Sequence, residues 1–251
     1  MNFTFTRRPV KQLYLKYTVM FAFLAACIFG TYLLTGHTFI LSKDDLNQHL
    51  PLMANYRAAL IHFFHHPGQF QYWSWKMGLG TDTFQVYSYY TIGDVFAYLA
   101  LLFPAAKMTL AYQVITVIRL YCVGLSFVYF AQHFRFRDNV ILAGAATYMV
   151  NAFLLYACIA QPFFTTPFIL FPLIVVQLER VLQGRSAWPL VGAFTWMLIS
   201  NYYFAFVLGI GTVLYLILRV ATHYRTKLNY WQTLAKLAFA TISSILVSAV
   251  M

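Results

Sequence analysis

Charge is what this chain has least of. Only 9% of its 251 residues are charged, while 61% are hydrophobic. Soluble domains carry roughly 25% charged residues, so an ordinary soluble domain is excluded. Acid is scarcer still, with six Asp and Glu against seventeen Lys and Arg. Cysteine is nearly absent: Cys27, Cys122 and Cys158 all fall inside apolar runs. They read as small buried hydrophobes and exclude a disulfide framework or a cysteine metal cluster. The alternating ten-residue pattern of a membrane β-barrel is missing too, since the apolar runs are continuous and about 20 residues long. What remains is an all-α, polytopic helical membrane protein.

The net charge of +11 does not signal nucleic-acid binding. The basic residues stand in short clusters between apolar runs, which is the positive-inside pattern of membrane proteins. Arg7, Arg8, Lys11 and Lys16 precede the first run, about Tyr17–Leu41. A cytoplasmic tail over 1–16 and a retained first span are therefore expected, with Ser42 outside. Later clusters, Arg135/Arg137, Arg180/Arg185 and Arg219/Arg225/Lys227/Lys236, belong inside by the same rule. They stay inside only if the short apolar segment 92–106, with Asp94 near its start, does not cross. It is expected to lie on the outer leaflet. The runs 109–133, 140–159, 164–183, 188–200, 203–219 and 235–251 then alternate, for seven spans in all. Residues 17–251 form one membrane module. The last run is unfinished at Met251, so a C-terminal truncation is expected.

Four of the six acids, Asp44, Asp45, Asp82 and Asp94, lie in the resulting outer loop, about 42–108. They are almost the only candidates for acid–base chemistry outside. Asp138 and Glu179 sit beside arginines at the inner boundary and read as ordinary boundary residues. In the loop, Leu46, Leu50, Met53, Leu60, Ile61 and Phe64 recur at helical spacing, which predicts a second surface helix over about 46–65 with its apolar face on the bilayer. Asp45 followed by Gln48 fits a capping box. Capping needs one aspartate, which leaves Asp44 spare.

Arg119 stands inside an apolar run, where a cation is costly and by default functional. It either pairs with a loop carboxylate or a carbonyl, or grips a lipid phosphate. His49, His62, His65 and His66 crowd the loop as a polar helix end or as metal ligands. "YWSWKMGLGTD" at 72–82 brings Trp73, Trp75 and Lys76 together. Its indoles fit an interfacial aromatic belt or a platform for a sugar or lipid.

"KDDLNQHLP", "FQYWSWKMGLGTDTFQVYSYYTIGDVFAYLALLFP", "PFFTTPFILFPLIVVQLERVL" and "SNYYFAF" carry a resemblance over most of 40–220. Together they resemble the N-terminal part of the bacterial YfhO family, which is similar to the GT-C glycosyltransferase superfamily. The resemblance implies a GT-C-like transmembrane module with two amphipathic helices on its outer surface, in the bacterial plasma membrane. It implies transfer of a sugar from undecaprenyl phosphate to a cell-envelope acceptor such as lipoteichoic acid. GT-C enzymes carry a carboxylate just after the first span, which maps to Asp44 or Asp45, with Asp44 favoured. It would act as general base or bind a divalent cation, Mg or Mn. Arg119, His49, Lys76, Trp73, Trp75 and Asp94 are the expected substrate-binding set. Family members are much longer, and this chain corresponds to their front portion. A lipid-linked-sugar transporter, or a non-catalytic partner of another enzyme, is the alternative.

Overall fold

A computed structural model describes residues 10–224 and 229–249. Arg7, Arg8, Arg225, Lys227 and the chain end at Met251 lie outside the described residues. The first helix, α1 (Val10–Leu34), begins and ends about seven residues before the expected span. Its end is set by Gly36, whose φ of +68° suits glycine. There the His37 N–H reaches back to the Tyr32 carbonyl at 2.9 Å and closes the last turn. The apolar residues that follow, Phe39 to Leu41, belong to the loop.

Next comes a π-helical turn, Asp45–His49, leading into α2 (Leu50–His65). Met53 and Tyr56 of α2 are buried. Tyr56 packs its ring against Tyr87 at 5.0 Å and Tyr98 at 5.8 Å. The inward face of α2 therefore rests on protein, where the sequence suggested bilayer, while Phe63 and Phe64 stay exposed. A two-stranded hairpin follows, β1 (Trp73–Ser74) and β2 (Thr81–Asp82), antiparallel with Trp73 opposite Asp82. Asp82 caps the short α3 (Thr83–Tyr87) by accepting from the Phe84 and Gln85 N–H groups. Residues 92–106 hold no α-helix. They form two 3₁₀ turns, Ala97–Leu102 and Ala105–Lys107.

The bundle is centred on α4 (Met108–His133), against which α1, α5 (Asp138–Met149), α6 (Ala152–Ala160) and α7 (Thr166–Leu182) pack. Close approach of α1 rests on Gly124, where a β-carbon would stand 2.4 Å from the Tyr17 hydroxyl. That hydroxyl donates to the Tyr121 carbonyl at 2.6 Å, and Tyr17 is fully buried. The run expected at 140–159 is a pair, α5 and α6, bent by 53°. Asn151 sits at the break. Its carbonyl oxygen accepts from the Leu154 N–H at 2.9 Å and starts the second helix.

Beyond α7, α8 (Trp188–Ser200) and α9 (Tyr202–Arg219) turn at Asn201, which caps α9. The last helix, α10 (Tyr230–Ser248), packs on α8 through the Ser244 hydroxyl, which donates to the Val191 carbonyl at 3.0 Å. Among the described residues, four helices are long and apolar enough to cross a membrane, or five if the bent pair is one span. The expected seven included α8 and α10. With 13 residues, α8 is only about 20 Å long, short of a bilayer core of roughly 30 Å. Polar Gln232, Thr233 and Lys236 interrupt the apolar character of α10.

Candidate functional site

Asp44 and Asp45 have different fates. Asp45 is completely buried. One of its oxygens accepts from the Leu41 N–H, the other from the Lys43 N–H at 3.1 Å. It thus holds the strand of loop that enters the π turn. The expected capping box does not form, because the carboxylate points back along the chain and the Gln48 amide donates to the Tyr90 hydroxyl instead. Asp44 is exposed. Its carboxylate accepts from the Gln161 amide.

Gln161 lies at the break between α6 and the 3₁₀ turn Pro162–Thr165, 117 residues away. Its carbonyl oxygen meets His49 Nε2 at 2.9 Å. His49 is buried between the rings of Tyr90, at 5.6 Å, and Phe163, at 5.5 Å. Burial moves its pKa below the usual imidazole value, against the opposing pull of the Gln161 bond, Asp44 and Asp45.

Beneath His49 lies a cavity of about 40 Å³, lined among others by Tyr90, Asp94, Thr116 and Arg119. Arg119 is 2% exposed and paired with Asp94, itself 6% exposed. Its guanidinium also lies 4.6 Å from the centre of the Phe96 ring. Asp94 further accepts from the Phe96 N–H at 3.1 Å. This is the pairing with a loop carboxylate that the sequence allowed. Only one guanidinium nitrogen is used, and Arg119 Nε and Nη1 are buried without a partner. The loop is pressed home at the residue before Asp94: a β-carbon on Gly93 would lie 1.6 Å from the Ile199 carbonyl oxygen of α8.

The structure therefore gathers Asp44, His49, Asp94 and Arg119 at one end of the bundle. Trp73, Trp75 and Lys76 stand apart on the hairpin, all exposed. The two indoles meet edge to face at 5.4 Å and close over Gly80. Among the described residues, no hydrogen bond, ion pair or ring contact joins them to the Asp44 cluster. His62, His65 and His66 finish α2, as a polar helix end would. Nor do the residues fit a divalent cation held by the aspartate pair. Both Asp45 oxygens serve backbone donors. Among the described residues, no three His, Cys, Asp or Glu side chains gather as a metal site.

Gln161 went unread in the sequence, and Glu179 was read only as an ordinary boundary residue. Gln161 had no signal beyond its place beside Pro162. Glu179 lies near the far end of α7 and is 1% exposed. It pairs with Arg219 of α9, not with adjacent Arg180, and accepts from Tyr215 at 2.7 Å and Tyr224 at 2.9 Å. The buried network ties α7 to α9.

An all-α bundle with several apolar helices and a polar cluster under its longest loop defines a multi-pass membrane protein, in contact with lipid. The family described as "Bacterial membrane protein YfhO" matches residues 18–251, and the chain belongs to that family. Comparison with the curated proteins and with the solved structures gives no match.

Proposed function

We propose that this protein is a GT-C-like glycosyltransferase of the bacterial plasma membrane. Its N-terminus is cytoplasmic and residues 17–251 form one membrane module. It transfers a sugar from a polyprenyl-phosphate carrier to a cell-envelope acceptor, such as lipoteichoic acid, on the outer face. One observation carries the reading: directly after the first long helix, one aspartate is consumed by the backbone while its neighbour is exposed and held by a single side-chain donor. Asp44 is the general base. It takes the proton of the acceptor hydroxyl as that oxygen attacks the anomeric carbon. The bond from that carbon to the phosphate oxygen breaks, and polyprenyl phosphate leaves. Arg119, oriented by Asp94, supplies the electropositive side of the cavity toward the leaving phosphate, and neutral His49 forms part of its wall. The hairpin with Trp73, Trp75 and Lys76 serves as an outlying contact for sugar or lipid.

The test is transfer by the purified chain in nanodiscs, with labelled carrier-linked sugar and acceptor. Asp44→Asn is expected to abolish transfer at normal expression. Undiminished transfer by that variant would remove Asp44 from the role. Carrier movement across vesicles without any transfer would favour a transporter.

A further inference from the structure

We propose that Gln161 is a positioning residue for Asp44, coupling that carboxylate to one tautomer of His49. The proposal rests on the reading of Asp44 as the base. Its support is geometric. A carboxylate only accepts, so the Gln161 NH₂ group must face Asp44 and its carbonyl must face His49. His49 therefore donates through Nε2–H and carries its lone pair on Nδ1.

The glutamine is itself well anchored. Its backbone N–H bonds the Ala157 carbonyl at 2.9 Å, and its carbonyl accepts from the Phe164 N–H at 2.9 Å. Buried Pro162 follows and restricts its backbone. A rigid turn of the bundle thus presents one amide to a carboxylate on the loop. With Oδ2 of Asp44 held, Oδ1 is left to face the solvent in a fixed direction, which is what a positioned base needs.

Burial keeps His49 neutral, and a neutral imidazole in a single tautomer is a defined partner for the amide. The charged and titratable groups around it are Asp44 and Asp45 at the start of the π turn, Tyr112 and Arg119 from α4, and Asp94 and Tyr90 from the loop. Substituting Gln161 removes the amide while leaving all six in place.

The experiment uses the full chain in nanodiscs with Gln161→Leu and Gln161→Glu. Leucine is expected to lower kcat by roughly 10²-fold, the scale of a misplaced catalytic group, with KM unchanged, and to lower the melting temperature by only a few degrees through the unpartnered His49 Nε2–H. Glutamate has nearly the same shape. When protonated it donates to Asp44 and accepts from His49 as the amide does. Relative to wild type at each pH, Gln161→Glu should regain activity as pH falls, while Gln161→Leu stays flat. Parallel profiles for the two variants, or KM rising in step with the fall in kcat, would overturn the assignment.

A second readout needs no turnover. ¹⁵N NMR, with His49 assigned through His49→Gln, should show the Nε2–H tautomer in wild type and a mixture in Gln161→Leu. An unchanged tautomer would overturn the coupling. If the wild type transfers no sugar, the base reading fails on its own and the NMR result still decides the role of Gln161.

Discussion

Replacing Arg119 by methionine leaves Asp94 buried with only the Phe96 N–H as partner. Both side chains are nearly inaccessible, at 3% and 7% exposure, so water cannot take over the lost contact without local opening. Removing one member of such a pair costs about 3–5 kcal/mol. The stacked guanidinium over Phe96 adds about 1–2 kcal/mol, partly returned by the apolar methionine. Asp94→Asn alone strands the guanidinium, which already has two unpartnered nitrogens. The double variant Arg119→Met/Asp94→Asn removes both charges and should recover much of the loss. The expected coupling is about 2–3 kcal/mol, near the top of the range for contacting residues. Denaturant unfolding in micelles, followed by helical circular dichroism, measures all four corners of the cycle. If the two single losses simply add, to within about 0.5 kcal/mol, the pair does not hold the loop to α4.

Four other outcomes follow from the same geometry. Asp45→Asn is expected to cost about 1–3 kcal/mol in thermal unfolding, because it weakens two backbone contacts, whereas Asp44→Asn leaves the melting temperature unchanged. Gly93→Ala drives a methyl into the Ile199 carbonyl and should cost at least about 1–3 kcal/mol, read by protease sensitivity of the outer loop. Glu179→Gln keeps an acceptor for only one of Tyr215 and Tyr224, which bond different carboxylate oxygens, and leaves Arg219 without its counter-charge; a melting-temperature loss equivalent to about 1–3 kcal/mol is expected. His49 has a pKa lowered by burial, so its contribution to stability is complete above about pH 6.5 and is lost as pH falls toward the folded value. Melting temperature should therefore drop on acidification through that window, and His49→Gln should flatten the slope.

The helices were legible because long apolar runs in a chain this poor in charge have few other solutions, and the bounds of α4, α7 and α9 fall within two residues of the runs. The breaks were not legible in hydropathy. Gly36 stops α1 through a left-handed residue, and Asn151 splits a run of unbroken apolarity by capping, both of which are backbone events. Asp44 and Asp45 could be singled out by their rarity, and only one could be spent on the backbone. The sequence assigned that one a cap inside its own helix; the fold uses it on the residues behind it. The Asp94–Arg119 pair was readable as a cost, since a buried cation needs a carboxylate and few existed. Gln161 was not readable. A neutral amide creates no such demand, and its partners lie 112 and 117 residues away.

The loop can carry a site because the bundle holds it in place. The segment 35–107 between α1 and α4 has little core of its own beyond Tyr56, Tyr87 and Ala97. Apolar packing of Phe39, Met53, Phe96 and Ala100 seats it on the bundle, and three further contacts bear on the candidate site. Arg119 grips Asp94 from α4, the α8 backbone receives Gly93, and the α6–α7 turn reaches Asp44 and His49 through Gln161. The first two contacts are buried and admit no substitution without steric or electrostatic loss. The third joins an exposed carboxylate to buried His49, so altering it strands one imidazole N–H, a smaller loss than breaking the buried ion pair. A contact that orders an exposed acid while contributing less to stability than its neighbours is what separates a functional element from a structural one. On that criterion Asp44 and Gln161, rather than the more deeply buried Asp45 or Asp94, are the residues where loss of activity should part company from loss of structure.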